Sequence, residues 1–104
     1  MNDEITLEEA KSCIDEGIAV LDVRTKEEYE DGHIKESKNI DVQEESFEDK
    51  LEDLDKSKNY IVYCMGGGRS LKAVRVMKEN GFSDAHSMTG GIRDWKDKGF
   101  ETVL

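Results

Sequence analysis

The residues with the clearest chemical potential form one short segment in the middle of the chain. β-prone residues 60–63 lead into Cys64, glycines follow at 66–68, and Arg69 and Ser70 come next. This order predicts a strand, a tight loop and a helix, with Cys64 at the carboxyl end of the strand. Ligands bind at that edge of open α/β sheets, so Cys64 is a candidate nucleophile in a binding loop.

The glycines of this loop predict an anion-binding site built from backbone. Glycine removes the side chains that would keep a ligand away from N–H groups, and a curled run of such amides binds anions. The helix that follows would add its unpaired N-terminal N–H groups. Amide dipoles and Arg69 would stabilise a thiolate, the reactive form of cysteine. We therefore expect a reactive thiol at Cys64, the alternative being a buried structural cysteine before an ordinary turn.

Charge is distributed unevenly along the chain. The 104 residues carry a net charge of −10, yet residues 56–78 contain six basic residues and no acidic ones. A local positive field around Cys64 would stabilise a thiolate and attract anionic substrates. The acidic balance of the whole chain argues against nucleic acid as a partner.

Length and composition limit the kind of protein that this chain can be. A chain of 104 residues predicts a single domain over residues 1–104. No apolar run is long enough to span a membrane and no signal peptide is evident, so we expect a cytoplasmic protein. Two histidines and two distant cysteines offer no metal-ligand spacing. We therefore expect neither a metal nor an organic cofactor.

The hydrophobic pattern predicts alternating strands and helices. Ile5 indicates a short edge strand, residues 18–23 indicate a buried strand, and Thr6 and Thr25 each begin a capping box with a glutamate three residues later. Further strands or helices are expected at residues 39–40, 41–55, 60–63, 70–80, 85–88 and 92–98. This alternation predicts an α/β fold, with a central, mostly parallel sheet of four to five strands flanked by helices on both faces.

Three features outside the central loop also have candidate roles. Cys13 lies in the first predicted helix and would be either a small core residue or a resolving thiol for Cys64. His33 would be either a loop histidine that pairs with backbone or a general base. The glycines at 90–91 predict a close-approach turn on the same rim as Cys64.

Three stretches together resemble one family, the single-domain rhodaneses, which are sulfurtransferases. They are residues 21–34 running on to 39–40, the loop at 63–70 and residues 90–95, which lie in the family's order and are spread over nearly the whole chain. The resemblance implies that Cys64 attacks the outer sulfur of a small donor, such as thiosulfate, a polysulfide or a low-molecular-weight persulfide. It also implies that a persulfide forms on Cys64 and that its outer sulfur is then transferred to cyanide or a thiol, a protein acceptor being a further alternative.

The resemblance also implies roles for individual residues, and it implies no cofactor or metal. Cys64 would be the catalytic residue. Asp22 and Arg24 would form ion pairs that support the walls of the site. The bound sulfur would be cradled by the loop, which comprises Met65, Gly66, Gly67, Gly68, Arg69 and Ser70.

The length of the loop distinguishes a sulfur substrate from a phosphoryl one. Four residues separate Cys64 from Arg69, whereas the related phosphatases have five, enough to surround a tetrahedral phosphate. The chain departs from the family where residues 35–37 replace the frequent Pro-Gly-Ala. It also has Met65 where loops that favour thiosulfate often add a cation. A less charged or bulkier persulfide is therefore as plausible a donor as thiosulfate.

Other functions stay open on the sequence alone. A rhodanese-like domain can be a non-catalytic module that binds a partner protein, although retention of Cys64 with Arg69 favours the enzyme. A thiol redox protein would use Cys64 with Cys13. Phosphatase activity and arsenate reduction are the remaining alternatives.

Overall fold

The centre of the molecule is a sheet of five parallel strands. The computed structural model describes residues 3–104. Neighbouring strands all run parallel, in the spatial order β1-β5-β4-β2-β3. The strands are β1 (Glu4–Ile5), β2 (Ala19–Asp22), β3 (Lys38–Asn39), β4 (Asn59–Tyr63) and β5 (Asp84–Met88).

Helices pack on both faces of this sheet, which confirms the predicted fold class. Apolar residues of α3 and α4 form one buried cluster with Val62 and Cys64, and those of α1 and α5 form another with Ile61 and Tyr63. Consecutive residues along β4 thus face opposite layers, as the twofold period of a strand requires. Within residues 3–104, none of the helices is long and apolar enough to cross a membrane. The helices are α1 (Leu7–Asp15), α2 (Lys26–Glu30), α3 (Phe47–Leu51), α4 (Gly68–Glu79) and α5 (Gly91–Asp97).

The order of the strands places Cys64 at a topological switch point. The chain moves outward from β2 to β3, and in the opposite direction from β4 to β5. Asp22 at the end of β2 is in register with Tyr63 at the end of β4, so Cys64 directly follows the switch. A crevice forms outside the carboxyl ends of the strands at such a point, and ligands bind there.

The helices begin as local chemistry dictates. Thr6 and Thr25 both form the predicted capping boxes, each exchanging hydrogen bonds with the glutamate three residues later. Helix α4 has no side-chain cap, and Gly67 precedes it with a φ of 117°. The helix therefore begins at Gly68, two residues before the predicted start at Ser70, and the loop after Cys64 is correspondingly tight.

The acidic segment 41–55 forms a shorter helix than the sequence predicts. Phe47 and Leu51 are buried and Leu54 packs against the same cluster, so the predicted apolar face is correct. Only α3 is helical, because the aspartates at both ends compete for the backbone. Asp41 and Asp55 each accept the N–H of the residue two positions ahead, which favours turns over helix.

A fully buried ion pair holds the carboxyl end of β2. The Arg24 guanidinium donates to the Asp22 carboxylate through Nη2 at 2.7 Å and Nε at 3.1 Å. Nη2 also donates to the Gly32 carbonyl at 2.8 Å. Asp22 is 0 % exposed and Arg24 is 2 % exposed. The pair therefore joins the end of the strand to the loop that follows α2.

We expect Asp22→Asn to lower the free energy of unfolding by about 3 kcal/mol, because it leaves the Arg24 charge buried and uncompensated. Urea unfolding monitored by circular dichroism measures this loss. The matched control is Asp15→Asn, which removes an exposed partner of Lys11 and should change stability by about 0.5 kcal/mol or less. Equal effects of the two substitutions would contradict the structural role of the buried pair.

Candidate active site

The sulfur of Cys64 lies at the floor of the loop between β4 and α4. The residue is only 1 % exposed. The N–H of Gly67 donates to Sγ at 3.0 Å, and the Ser70 hydroxyl lies 3.5 Å from the same sulfur. The left-handed backbone of Gly67, which glycine adopts without strain, turns the chain back over its own cysteine.

Hydrogen bonds from the loop lower the pKa of Cys64. Burial, the largest single influence, acts in the opposite direction. It is outweighed by the hydroxyl and N–H of Ser70 and by the N–H groups of Gly67 and Gly66. These donors stabilise the thiolate more than the thiol, so ionisation is favoured, which is the direction that the sequence predicts.

A pair of buried hydroxyl groups lies beneath the sulfur. Ser70 Oγ is 2.7 Å from Ser87 Oγ on β5 and donates to the Gly67 carbonyl at 3.0 Å. When Cys64 is ionised, Ser70 can donate to the sulfur while Ser87 donates to Ser70. Ser87 was not among the predicted site residues, because a serine within a strand carries no distinguishing signal.

The first turn of α5 is hydrogen-bonded directly to the loop. The N–H of Ile92 donates to the Cys64 carbonyl at 2.9 Å, and the N–H of Arg93 donates to the Met65 carbonyl at 3.2 Å. In a trans peptide the N–H points opposite to the carbonyl, so these bonds turn the N–H groups of Met65 and Gly66 away from α5. The predicted close-approach turn at residues 90–91 therefore lies on the rim of the loop.

Arg69 forms an ion pair with a carboxylate from another helix. Its two terminal nitrogens donate to Glu28 Oε1 and Oε2 at 2.7 and 3.0 Å. This bidentate bond, opposed by partial burial and reinforced by the Thr25 N–H, lowers the pKa of Glu28 to about 2. Glu28 is therefore ionised at neutral pH and neutralises Arg69, a role that its position in a capping box did not reveal.

The positive charge of residues 56–78 is largely compensated in the folded chain. Lys56 pairs with Glu52, while Arg75 and Lys78 both pair with Asp3. With Arg69 bound to Glu28, most of the basic side chains in this segment face a carboxylate from outside it. The positive field that the linear sequence suggests around Cys64 is correspondingly weaker.

The remaining candidates lie away from the sulfur. Cys13 packs against the apolar cluster on the opposite face of the sheet from Cys64, which fits a small core residue and separates the two free thiols. The His33 ring stacks on Tyr29, and its Nδ1 is 2.9 Å from the Tyr29 carbonyl, as expected for backbone pairing. Within the described residues, no three His, Cys, Asp or Glu side chains are grouped to hold a metal.

Tyr63 fixes the wall of the site where residues 35–37 depart from the family pattern. Its hydroxyl accepts the Ile34 N–H at 3.0 Å and lies 3.2 Å from Ser37 Oγ. Burial raises the pKa of Tyr63, which keeps the hydroxyl protonated. Glu36 adopts a φ of 67°, a conformation that glycine adopts at less cost.

Comparison with known families assigns most of the chain to one of them. The family model for the rhodanese-like domain matches residues 6–98. Among solved structures, a rhodanese-related protein from Thermoplasma volcanium superimposes with a TM-score of 0.89, at 31 % identity and with 99 % of both chains covered. A rhodanese-like domain protein from Staphylococcus aureus gives a TM-score of 0.82 at 35 % identity, covering 96 % of this chain and 97 % of that one.

Curated relatives include proteins named for sulfur chemistry. The putative sulfur carrier protein YrkF of Bacillus subtilis is 37 % identical over 91 % of this chain, which spans 51 % of that protein. The thiosulfate sulfurtransferase GlpE of Pseudomonas syringae is 32 % identical, with 86 % of this chain and 82 % of GlpE covered. A tRNA uridine(34) hydroxylase of Cytophaga hutchinsonii is 37 % identical over 72 % of this chain, which spans 25 % of that enzyme.

Removing the Ser70 hydroxyl should raise the pKa of Cys64, because a hydrogen bond that stabilises the thiolate is lost. The rate of alkylation by iodoacetamide, measured against pH for Ser70→Ala and the unmodified protein, gives this pKa directly. Ser12→Ala, on the exposed side of α1, is the control. An unchanged alkylation midpoint in Ser70→Ala would show that the backbone alone stabilises the thiolate.

Glu28→Gln should lower the free energy of unfolding at pH 7 by about 1–2 kcal/mol, because the bidentate pair loses its charge. The pKa of Glu28 is depressed in the folded state, so its stabilisation is complete above the unfolded value of about 4.3 and is lost as the pH falls. The difference between the two proteins should therefore shrink towards pH 2. Urea unfolding at several pH values tests this, with exposed Glu27→Gln as the control, and a pH-independent difference would contradict it.

Proposed function

This chain belongs to the rhodanese-like domain family, and on that basis we propose that it is a sulfurtransferase that carries sulfane sulfur as a persulfide on Cys64. The observation that carries the proposal is the environment of that sulfur. Backbone N–H groups and the Ser70 hydroxyl surround Sγ and lower its pKa. The same donors would stabilise the charge of a persulfide that extends one atom further into the loop.

In the first half-reaction, the Cys64 thiolate attacks the outer sulfur of the donor. With thiosulfate, the sulfur–sulfur bond breaks, sulfite leaves with the bonding electron pair, and a persulfide anion remains on Cys64. With an organic persulfide, the leaving group is the corresponding thiolate. The loop contributes donors already positioned where the negative charge develops, so little reorganisation is needed.

In the second half-reaction, a thiophilic nucleophile attacks the outer sulfur of the Cys64 persulfide. Cyanide leaves as thiocyanate, and a thiolate leaves as a new persulfide; in both cases the electron pair of the broken bond returns to Cys64 as the thiolate. A thiol on a protein is an acceptor of the same chemistry. Because the two substrates use one site in turn, ping-pong kinetics are expected.

The size of the site supports a sulfur substrate over a phosphoryl one. Four residues separate Cys64 from Arg69, and the cysteine is 1 % exposed beneath them. A terminal sulfur atom is slender enough to reach Sγ at the floor of such a loop, whereas a tetrahedral phosphate needs a wider ring.

The position of Cys13 weakens the thiol-redox alternative. Cys13 packs on the other side of the sheet from Cys64, so the two thiols are separated.

The relatives support the same class of reaction at the family level. One is named a sulfur carrier and another a thiosulfate sulfurtransferase. Because the first of these is about twice as long as this chain, its activity as a whole protein extends to this chain only as part of the proposal.

The proposed partners are a small sulfur donor and a thiol or cyanide acceptor. The proposed location is the cytoplasm.

Cys64→Ser should abolish sulfur uptake while the domain stays folded, because serine has no thiolate to accept a sulfane sulfur. Intact-protein mass spectrometry after brief exposure to thiosulfate, and separately to glutathione persulfide, measures the gain of one sulfur atom. Cyanide should reverse that gain. Cys13→Ser is the matched control and should load as the unmodified protein does.

Two outcomes would overturn the proposal. Sulfur uptake that persists in Cys64→Ser would place the chemistry elsewhere. No uptake from either donor, with Cys64 shown to be reduced and alkylatable, would favour a non-catalytic module that binds a partner protein.

A further inference from the structure

The arginine that belongs to the loop is already paired with a carboxylate. Arg69 is 26 % exposed, and both of its terminal nitrogens are used by Glu28. The residue after the cysteine, Met65, carries no charge. Arg24 is buried with Asp22. An anionic donor approaching Cys64 therefore finds backbone N–H groups within the loop, but the guanidinium groups of Arg24 and Arg69 are already paired with carboxylates.

A third guanidinium reaches the loop from α5. An alanine Cβ at position 66 would lie 2.5 Å from Arg93 Nη2 and 3.7 Å from Arg93 Cζ, so the guanidinium is packed against the bare face of Gly66. Gly66 is two residues from Cys64, and its N–H is one of those that lower the pKa of the thiol. The absence of a side chain at this position is what lets the arginine approach.

Arg93 is held in this position by its backbone and is free at its charged end. Its N–H is bonded to the Met65 carbonyl at 3.2 Å, which fixes the start of the side chain beside the loop. Unlike Arg24 and Arg69, Arg93 takes part in none of the ion pairs formed within residues 3–104. Its side chain is exposed to solvent, so the guanidinium can meet an incoming anion.

We propose that Arg93 binds the anionic group of the sulfur donor at the mouth of the loop and thereby determines which donors load Cys64. The inference rests on the proposed sulfurtransferase function and adds the chemistry of its substrate. The group bound is an oxyanion of the donor, since a guanidinium offers two parallel N–H donors that match a sulfonate or a carboxylate. Arg93 thus supplies, from another helix, the cation that is absent at Met65.

This placement has a physical advantage in a chain of net charge −10. The chain as a whole repels anions, and solvent screens charges that lie more than about 8–10 Å apart. A single unpaired guanidinium at the entrance attracts an anion over a short range without requiring a positive surface. Arg93 also leaves the interior of the loop to the sulfur atom, which is the part that reacts.

The test compares donors that differ in anionic groups. Thiosulfate carries a sulfonate, glutathione persulfide carries carboxylates, and 2-hydroxyethyl persulfide has no anionic group beyond the persulfide itself. The rate of sulfur loading onto Cys64 is measured by rapid quench and intact-protein mass spectrometry, as a function of donor concentration. The variants are Arg93→Met and Arg93→Lys. The control is Lys58→Met, which removes an equal charge just before β4, at the opposite edge of the sheet from Cys64.

We expect Arg93→Met to raise the concentration of an anionic donor needed for half-maximal loading by about tenfold, the loss expected for one exposed charge-assisted contact. The maximal loading rate, the alkylation profile of Cys64 and loading by 2-hydroxyethyl persulfide should stay within about twofold. Arg93→Lys should recover part of the loss, and salt should reduce the difference. Comparison of the thiosulfate and glutathione persulfide arms shows whether the group bound is a sulfonate or a carboxylate.

Other outcomes overturn the inference and are distinguishable from failure of the proposed function. An equal loss for all three donors would make Arg93 structural. Unchanged loading by both anionic donors would exclude donor binding by Arg93, while the unmodified protein would still establish persulfide formation. Failure of the unmodified protein to load from any donor would overturn the sulfurtransferase function itself, and the role of Arg93 with it.

Discussion

The attachment of α5 to the cysteine loop is the contact on which the rest of the site depends. Two N–H groups at the start of this helix donate hydrogen bonds to the carbonyl oxygens of Cys64 and Met65. Because each peptide unit is planar and trans, fixing these carbonyls also fixes the N–H groups that face the other way. Gly91 permits this approach, since a Cβ there would overlap both carbonyl groups. The helix is in turn held by Ile92 and Trp95, which are buried in the core, so packing far from the sulfur sets the orientation of the loop.

Short-range dipoles, and not the overall charge of the protein, stabilise the Cys64 thiolate. A net charge of −10 would by itself oppose ionisation of a thiol. Charges on the surface act through water and are screened, whereas donors at about 3 Å act within the protein, where the effective dielectric constant is low. The N–H of Gly67 and the hydroxyl of Ser70, which is itself hydrogen-bonded to Ser87, are of this second kind. An acidic chain can therefore contain a cysteine that ionises readily.

Arg24 and Arg69 serve as connections between structural elements. Arg24 joins the end of β2 to the loop after α2 through Asp22 and the Gly32 carbonyl. Arg69 joins the start of α4 to α2 through Glu28. These bonds join neighbouring elements and at the same time compensate the positive charge of both arginines. Under the proposed function, binding within the loop would rely on backbone N–H groups, and selection at its mouth would rely on Arg93 from α5.

The sequence alone determined the features that depend on neighbouring residues. A strand that ends in Cys64, a glycine loop and a helix follow from local propensity, and so do the capping boxes at Thr6 and Thr25. The alternation of strands and helices was enough to predict a parallel α/β sheet with Cys64 at its carboxyl edge. The same local rules overestimated the helix in residues 41–55, because turns formed by Asp41 and Asp55 compete with it.

Only the tertiary structure decided which distant side chains meet at the loop. Glu28 and Arg69 are 41 positions apart, and nothing in the spacing of either indicates that they pair. Ser87 reaches Ser70 because β5 lies beside β4, and Arg93 reaches Gly66 because α5 packs against the end of β4. Ion pairing and hydrogen bonding depend on distances of a few ångströms in space, and those distances are set by the folded sheet and not by position along the chain.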